Sequence, residues 1–475
     1  MVAKMTARKA SSPVAGQGSA PRRRLAVSDR LAVFVLAIVF GWLLQVVYRD
    51  IILASGVYNY IGLHWRGIGL TISAAFLFLG VLPALWLPLQ ANKPSQMMAL
   101  LLHLLVVIPI AALMPNLSYS PLASQFLFVA CVVLGLGMIS SVGSLPPLSL
   151  RPPRLSRPLF RLLMATILFA ALIVLSSGAS INIGLSLFEV YAAREAFLAQ
   201  ADNLGRVFLY TQSAIIYAFG PFLVAIGLVS RNPLALLAGV VLLAVVFFAT
   251  SFRMAYFAVF AVIGLWLLIR MFPRRTYAGM LLAFIGLVAV CALADLFLIS
   301  SVVPYASWVV IFRLFGNAGF LSAGYFDFFF DNEKIIYTQS ILAPFFEPRY
   351  EVPVPKLIGE FWTDNPENHA NANLWADAYA NLGYHGILLI SLILSLVLWI
   401  FDSLARSTSN AVGVLLIVMP SFALSNIGLH TAILSGGVLF ALLLLMLVPP
   451  RFGEAGRTSG RPSASSGGFA SRGER

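Results

Sequence analysis

Twelve stretches of roughly 17 to 25 residues, each long enough to cross about 30 Å of hydrocarbon as a helix rising about 1.5 Å per residue, dominate this chain. They run approximately over 31–47, 67–89, 97–114, 122–142, 159–178, 207–229, 234–250, 254–271, 278–302, 384–401, 412–428 and 431–448. Of the 475 residues, 60% are hydrophobic and only 10% charged, against about 25% charged in ordinary soluble proteins. A soluble core cannot absorb that much apolar surface delivered in blocks of this length. The expected fold is therefore an all-α polytopic membrane protein with about twelve transmembrane helices. The two cysteines, Cys131 and Cys291, fall inside apolar blocks with no His or Cys nearby at metal-ligand spacing, and read as small core residues.

The charges fix an orientation. With the N-terminus in the cytoplasm and sides alternating, 22 of the 31 Lys and Arg lie on cytoplasmic segments, and 13 of the 18 Asp and Glu lie on external ones. Arg151, Arg154, Arg157 and Arg161 share one cytoplasmic turn; Arg270, Arg274 and Arg275 share another. Positive charge concentrated inside is the established bias of membrane proteins. It accounts for the net charge of +13 without nucleic acid, for which no basic and aromatic constellation is present. Lys4, Arg8, Lys9 and Arg22 to Arg24 precede an apolar block that no small-residue cleavage site follows, so the first helix reads as retained. The expected organisation is a cytoplasmic tail (1–28), nine helices (29–302), a large external loop (303–381), three helices (382–450) and a second cytoplasmic tail (451–475). Both tails are rich in Ser, Gly, Ala and Arg and too poor in large apolar residues to fold.

Four external features carry candidate chemistry. In the 181–206 loop, Ser186 and Glu189 have capping-box spacing, and Tyr191, Arg194, Phe197 and Leu198 follow in a mixed pattern that reads as a short helix on the membrane surface. Arg194 there either reaches lipid headgroups or binds a substrate phosphate. Ser251-Phe-Arg253 forms a very tight external hairpin. A guanidinium at the hydrocarbon edge requires a partner, either lipid phosphate or a substrate diphosphate suited to its bidentate fork. The long loop holds nine acidic residues and many aromatics, a composition compatible with carbohydrate, and loops of such length are usually functional. Its end reads Asn365-Pro-Glu367-Asn-His369-Ala-Asn371-Ala-Asn373, with Asp377 and Asn381 following at helical spacing on one face. His369 is either a loop histidine among turn-forming asparagines or a proton acceptor near neutral pH.

From Asn371 to Gly386 the chain reads Asn-Ala-Asn-Leu-Trp-Ala-Asp-Ala-Tyr-Ala-Asn-Leu-Gly-Tyr-His-Gly. This resembles the stretch that closes the large periplasmic loop of bacterial lipid-linked oligosaccharide repeat-unit polymerases, the O-antigen and exopolysaccharide polymerase group related to the O-antigen ligases. Ser251-Phe-Arg253 opening a helix is similar to the Ser-Arg of those ligases. The likeness in topology covers most of the chain and the likeness in sequence only a small part of it. The resemblance implies a glycosyltransferase of the C-type superfamily in the bacterial inner membrane, working on the periplasmic face without a metal or other cofactor. Its donor would be a growing glycan on undecaprenyl diphosphate, and its acceptor a single lipid-linked repeat unit whose hydroxyl attacks the anomeric carbon.

That reaction needs cations for the leaving diphosphate. Arg253 is the first candidate, with Arg313, Arg194 and Arg349 as helpers. It also needs a base for the attacking hydroxyl, for which His369 comes first, with Asp377 or Glu367 as substitutes. Asn371, Asn373, Tyr379 and Asn381 are the candidate acceptor-binding groups. His385 lies in the Gly383 to Gly386 element and competes with His369 for the family position, but it opens an apolar block. Membrane lipids surround such an enzyme; a chain-length regulator and a flippase would be its partners. A ligase passing glycan to another acceptor, a transporter or flippase of lipid-linked oligosaccharide, and a non-catalytic member of an export complex remain as rival readings. A transporter would be expected to place ionisable groups at the bilayer midplane, whereas Asp295 is the one acidic residue inside a block and lies toward its outer end.

Overall fold

A computed structural model of the protein describes residues 20–178, 206–298, 303–340, 342–366 and 368–449. Every regular element among them is helical. In chain order these are α1 Val27–Leu53, α2 Leu70–Leu85, α3 Pro94–Leu117, α4 Leu122–Ser144, α5 Arg157–Gly178, α6 Tyr210–Ser230 and α7 Pro233–Thr250. There follow α8 Met254–Met271, α9 Thr276–Phe297, α10 Ser307–Asp331, α11 Val354–Thr363, α12 Leu374–Thr408, α13 Asn410–Leu424 and α14 Leu429–Leu447. Ten of them are long and apolar enough to cross a membrane, and α2 and α13 are shorter apolar helices. The tight turns obey local chemistry. Asn232 caps α7 by accepting from Leu234 N and Ala235 N, with Pro233 at the first helical position. Ser251 takes the left-handed conformation that lets α7 and α8 meet in a hairpin.

The bundle is built around α3, whose apolar window is buried along its whole length. Neighbours approach it over small residues. A Cβ on Gly80 of α2 would stand 2.2 Å from the Ala111 Cβ, and one on Gly319 of α10 would stand 2.6 Å from Pro109 O. Close backbone contact over small residues is the usual means of helix association where lipid removes the hydrophobic drive. The outward faces of the helices are apolar, with Leu134, Phe260 and Val290 more than half exposed, as a lipid-facing surface requires. Cys131 and Cys291 are free and buried.

Polar ties sort the helix ends into two layers. At one end, Arg275 pairs with Asp29 at 2.8 Å, Lys93 Nζ donates to Gly143 O at 2.6 Å, and Asp402 accepts from Ser95 N and Oγ at 2.9 and 2.6 Å. Arg154 donates to Ser407 O there as well. The opposite end gathers 54–69, 116–122 and the segment after α10. Arg66 N donates to Asn116 O, and Asp327 accepts from Tyr119 N at 2.8 Å and from the Ser118 and Ser120 hydroxyls. One end is thus rich in arginine and the other in carboxylates.

The stretch read from sequence as a single polar loop, 303–381, departs from that expectation. Residues 307–331 form α10, which opens with a widened π-helical section, Ser307–Gly316. Near its start, Trp308 stacks on Tyr58 at 4.0 Å; at its middle, Phe315 packs between Phe40 and Phe284; near its end, Asp327 binds residues 118–120. Both ends of α10 therefore meet segments at the acidic end of the bundle, while its middle lies deep between α1 and α9. Its mean hydropathy of 1.3 is below that of the other candidate spans. Most of the Tyr and Trp side chains that made this stretch look suited to carbohydrate are instead core residues: Trp308, Tyr325, Trp362, Trp375 and Tyr379 are buried, while Phe345 and Phe346 are exposed. What remains of the loop, among the described residues, is an irregular strap over 332–340 and 342–353, the short helix α11, and the first turns of α12.

Candidate acid–base cavity at the acidic end

The geometry begins with a break in α12. Leu382 (φ −136°, ψ 18°) and Gly383 (φ 63°, ψ −148°) leave the helical region, and only a residue without a Cβ adopts the second pair of angles readily. The break frees carbonyls at the end of the 374–381 segment. Ile335 N and Ile336 N donate to Ala380 O and Asn381 O, and Tyr337 N donates to Asn381 Oδ1 at 2.8 Å. Asn381 Nδ2 in turn donates to Asp377 O. The strap is thereby clipped to the helix end, with Ile336 and Tyr337 in the left-handed region. Gln339 anchors the strap's far side, donating to Tyr350 O and accepting from Val354 N.

Between these parts and the turn joining α13 to α14 lies a cavity of about 270 Å³, near the lower limit of small-molecule sites, roughly 300 Å³. Its polar lining comprises the carboxamides of Gln339, Asn371, Asn381 and Asn426, the Ser340 and Thr431 hydroxyls, Asp377 and His430. Asp377 Oδ2 and His430 Nδ1 face each other at 3.7 Å. That separation suits an ion pair but exceeds a hydrogen bond. Both atoms are buried and neither has a hydrogen-bond partner. A buried polar atom left unsatisfied costs roughly 1 to 3 kcal/mol, so two facing orphans form a site rather than a structural tie. The Tyr337 ring stands edge-on to the imidazole at 5.9 Å between centroids. Burial, and then the Asp377 charge, push the Tyr337 phenol up to about 12. Gly428 forms the wall behind the carboxylate, where a Cβ would stand 2.3 Å from Asp377 Oδ2.

Of the residues singled out by sequence, Asp377, Asn371 and Asn381 are brought together in this cavity. His369 is exposed two residues before Asn371 and is not among the lining residues. His385 is exposed beyond the kink. Asn373 serves as the N-cap of α12, accepting from Trp375 N and Ala376 N and donating to Ser322 Oγ; its side chain is buried away from the cavity. Tyr379 packs against Phe128, Phe326 and Tyr384, with the Lys334 ammonium 4.3 Å from its ring centroid. Burial draws Lys334 down to about 8.

The arginines lie apart from the cavity lining. Arg313 is exposed above the Trp308 ring at 5.3 Å, and Arg349 is paired with Glu333. Arg253 is half-buried at the start of α8. One turn further, Phe257 packs edge-on against Phe422 of α13 at 4.7 Å, and the chain after α13 forms the cavity wall at Asn426 to Gly428. Arg194, Glu367 and the surface helix expected after Ser186 fall outside the described residues.

His430 is the residue that sequence reasoning missed. It stands in the two-residue gap between the apolar blocks ending at 428 and beginning at 431, on the external side by alternation. The criterion that selected Arg253, an ionisable residue in a tight external turn, applies to it equally. The chain matches no family model, no curated protein and no solved structure, so its activity has to be argued from this cavity.

Proposed function

We propose that the protein is a membrane-embedded glycosyltransferase of the surface-polysaccharide polymerase type, transferring a growing glycan from undecaprenyl diphosphate to a lipid-linked repeat unit at the periplasmic face. The observation that carries this reading is the pair of facing, unsatisfied groups of Asp377 and His430 in a cavity lined by carboxamides. Asn381, Gln339 and Asn426 in that lining already bond within the protein and keep only their second donor and acceptor positions for sugar hydroxyls; the acid–base pair can take up the proton that the attacking hydroxyl loses. If α10 is a helix that dips and returns, twelve crossings remain: α1 to α9 and α12 to α14. The arginine-rich end then faces the cytoplasm under the positive-inside rule, with both termini there, and the cavity opens outside.

In this reading the acceptor sugar occupies the cavity and the donor diphosphate lies toward Arg253. That guanidinium sits at the N-terminus of α8, where the helix dipole adds to its attraction for an anion. As the bond between the anomeric carbon and the diphosphate breaks, its electron pair stays on the diphosphate, and a fixed cation is worth most at that moment.

The reading is tested with purified protein in nanodiscs and a synthetic polyprenyl-diphosphate-linked repeat unit. Ladder-like elongation is expected. Asp377→Ala should lower kcat by about 10²- to 10⁴-fold, the range for losing acid–base assistance, and Arg253→Ala by about 10²- to 10³-fold. Flipping of the lipid-linked unit between leaflets with no elongation would overturn it.

A further inference from the structure

We propose that His430 is the catalytic base of this site and acts through Nε2, with Asp377 behind it as a positioning residue that holds Nδ1–H; this rests on the glycosyl-transfer reading. An aspartate in a cavity suggests at first that the carboxylate meets the substrate itself. The geometry points elsewhere. Asp377 Oδ2 is buried and directed at His430 Nδ1 rather than at open space, and Nδ1 is buried with it. The Gly428 backbone packs against the same carboxylate, closest to Oδ2. His430 is itself a lining residue, and among the described residues no group hydrogen-bonds its remaining nitrogen, Nε2. Nε2 is therefore the basic atom that the pair offers to a bound hydroxyl.

The gap of 3.7 Å needs to close by less than an ångström to make a hydrogen bond, and such contacts are commonly loose before substrate binds. When it closes, Nδ1–H donates to Asp377 Oδ2, which fixes the tautomer with a lone pair on Nε2. The acceptor hydroxyl then gives its proton to Nε2 as its oxygen bonds to the anomeric carbon, and the diphosphate leaves with the electron pair of the broken bond. The imidazolium so formed is held against the Asp377 carboxylate. Tyr337 restricts the ring from its edge. Among the described residues, no other Asp, Glu, His, Lys or Arg lines the cavity. Of the tyrosines at the cavity, Tyr325 donates its phenol to Ala370 O at 2.8 Å, and Tyr337 stands edge-on to the imidazole.

The test uses the full chain in nanodiscs with the lipid-linked repeat unit. His430→Ala should lose at least about 100-fold in kcat with little change in KM for the acceptor. Added imidazole should restore part of the rate, and the pH profile of the rescued enzyme should follow the pKa of the substituted imidazole supplied. Rescue also shows that the variant is folded, and a melting curve of His430→Gln provides a second check. Asp377→Asn should move the acid limb of kcat/KM, as a merely structural residue would not. With ¹⁵N-labelled histidine, the Nδ1–H signal of His430 should be displaced in the same variant. Elongation by wild type that survives His430→Gln, or a His430→Ala enzyme that is folded and inert to imidazole, overturns the dyad. A wild type that elongates nothing while the Asp377-dependent His430 signal is present overturns the glycosyl-transfer reading instead.

Discussion

Asp377 owes its position to neighbours on three separate segments: Asn381 one turn later, the strap that brings Tyr337, and the Gly428 backbone. Part of this is readable from sequence, because a carboxylate and a carboxamide at i and i+4 in a helical run share a face. The partnership with His430 is not, since it joins residues more than fifty positions apart through a turn whose path depends on how two short helices pack. Asn373 illustrates the opposite difficulty. Its spacing with Asp377 is correct, yet it stands just before the helix, where an asparagine is worth more as a cap than as a ligand. Lys334 gives a residue-scale prediction. Its folded pKa, drawn by burial from 10.5 to about 8, means that between those values the unfolded chain holds a proton the folded one has released. Stability attributable to this group should therefore rise as pH increases from about 8 toward 10. Melting curves of wild type and Lys334→Met across that range should show wild type gaining on the variant; a constant difference would contradict the assignment.

At the scale of elements, the kink in α12, the strap clipped to it and the turn joining α13 to α14 make the cavity, to which α10 adds Tyr325. The kink releases carbonyls that the strap then binds, converting a broken helix into a hydrogen-bonded junction. Gly383→Ala forces a Cβ into a backbone conformation that costs about 1 to 3 kcal/mol. It should lower the melting temperature in nanodiscs and impair elongation together, because the strap carrying Tyr337 is bound to the same turn. Unchanged melting would mean that the break at Leu382 and Gly383 does not persist in the membrane. The break itself is only half legible: Leu-Gly before an apolar block suggests a boundary, but here the helix resumes in a new direction. The dip of α10 is hidden for another reason. Its aromatics, interspersed with Gly, Asn, Ser and Asp, suit an amphipathic loop as well as a buried helix, and periodicity alone does not separate the two.

For the whole molecule, the sequence carries the architecture well. The apolar blocks delimit most of the helices, and the bias in Lys and Arg predicts the sorting of arginines to one end and carboxylates to the other. Orientation is open to direct measurement. Both native cysteines are buried, so Arg151→Cys and Glu351→Cys can be probed one at a time with a membrane-impermeant maleimide. Glu351→Cys should label from the outer side of intact cells and Arg151→Cys only after lysis; the reverse pattern would invert the topology.

The dip of α10 also bears on how the molecule is made. A segment of mean hydropathy 1.3 that begins and ends at the same end of the bundle gains little from lipid and much from α1, α3 and α9. It settles only after those neighbours have been inserted. The cavity takes walls from 325–381 and, last of all, from 426–431, so it closes when α13 and α14 arrive. Most of the chain therefore precedes, in order of synthesis, the turn that completes the cavity.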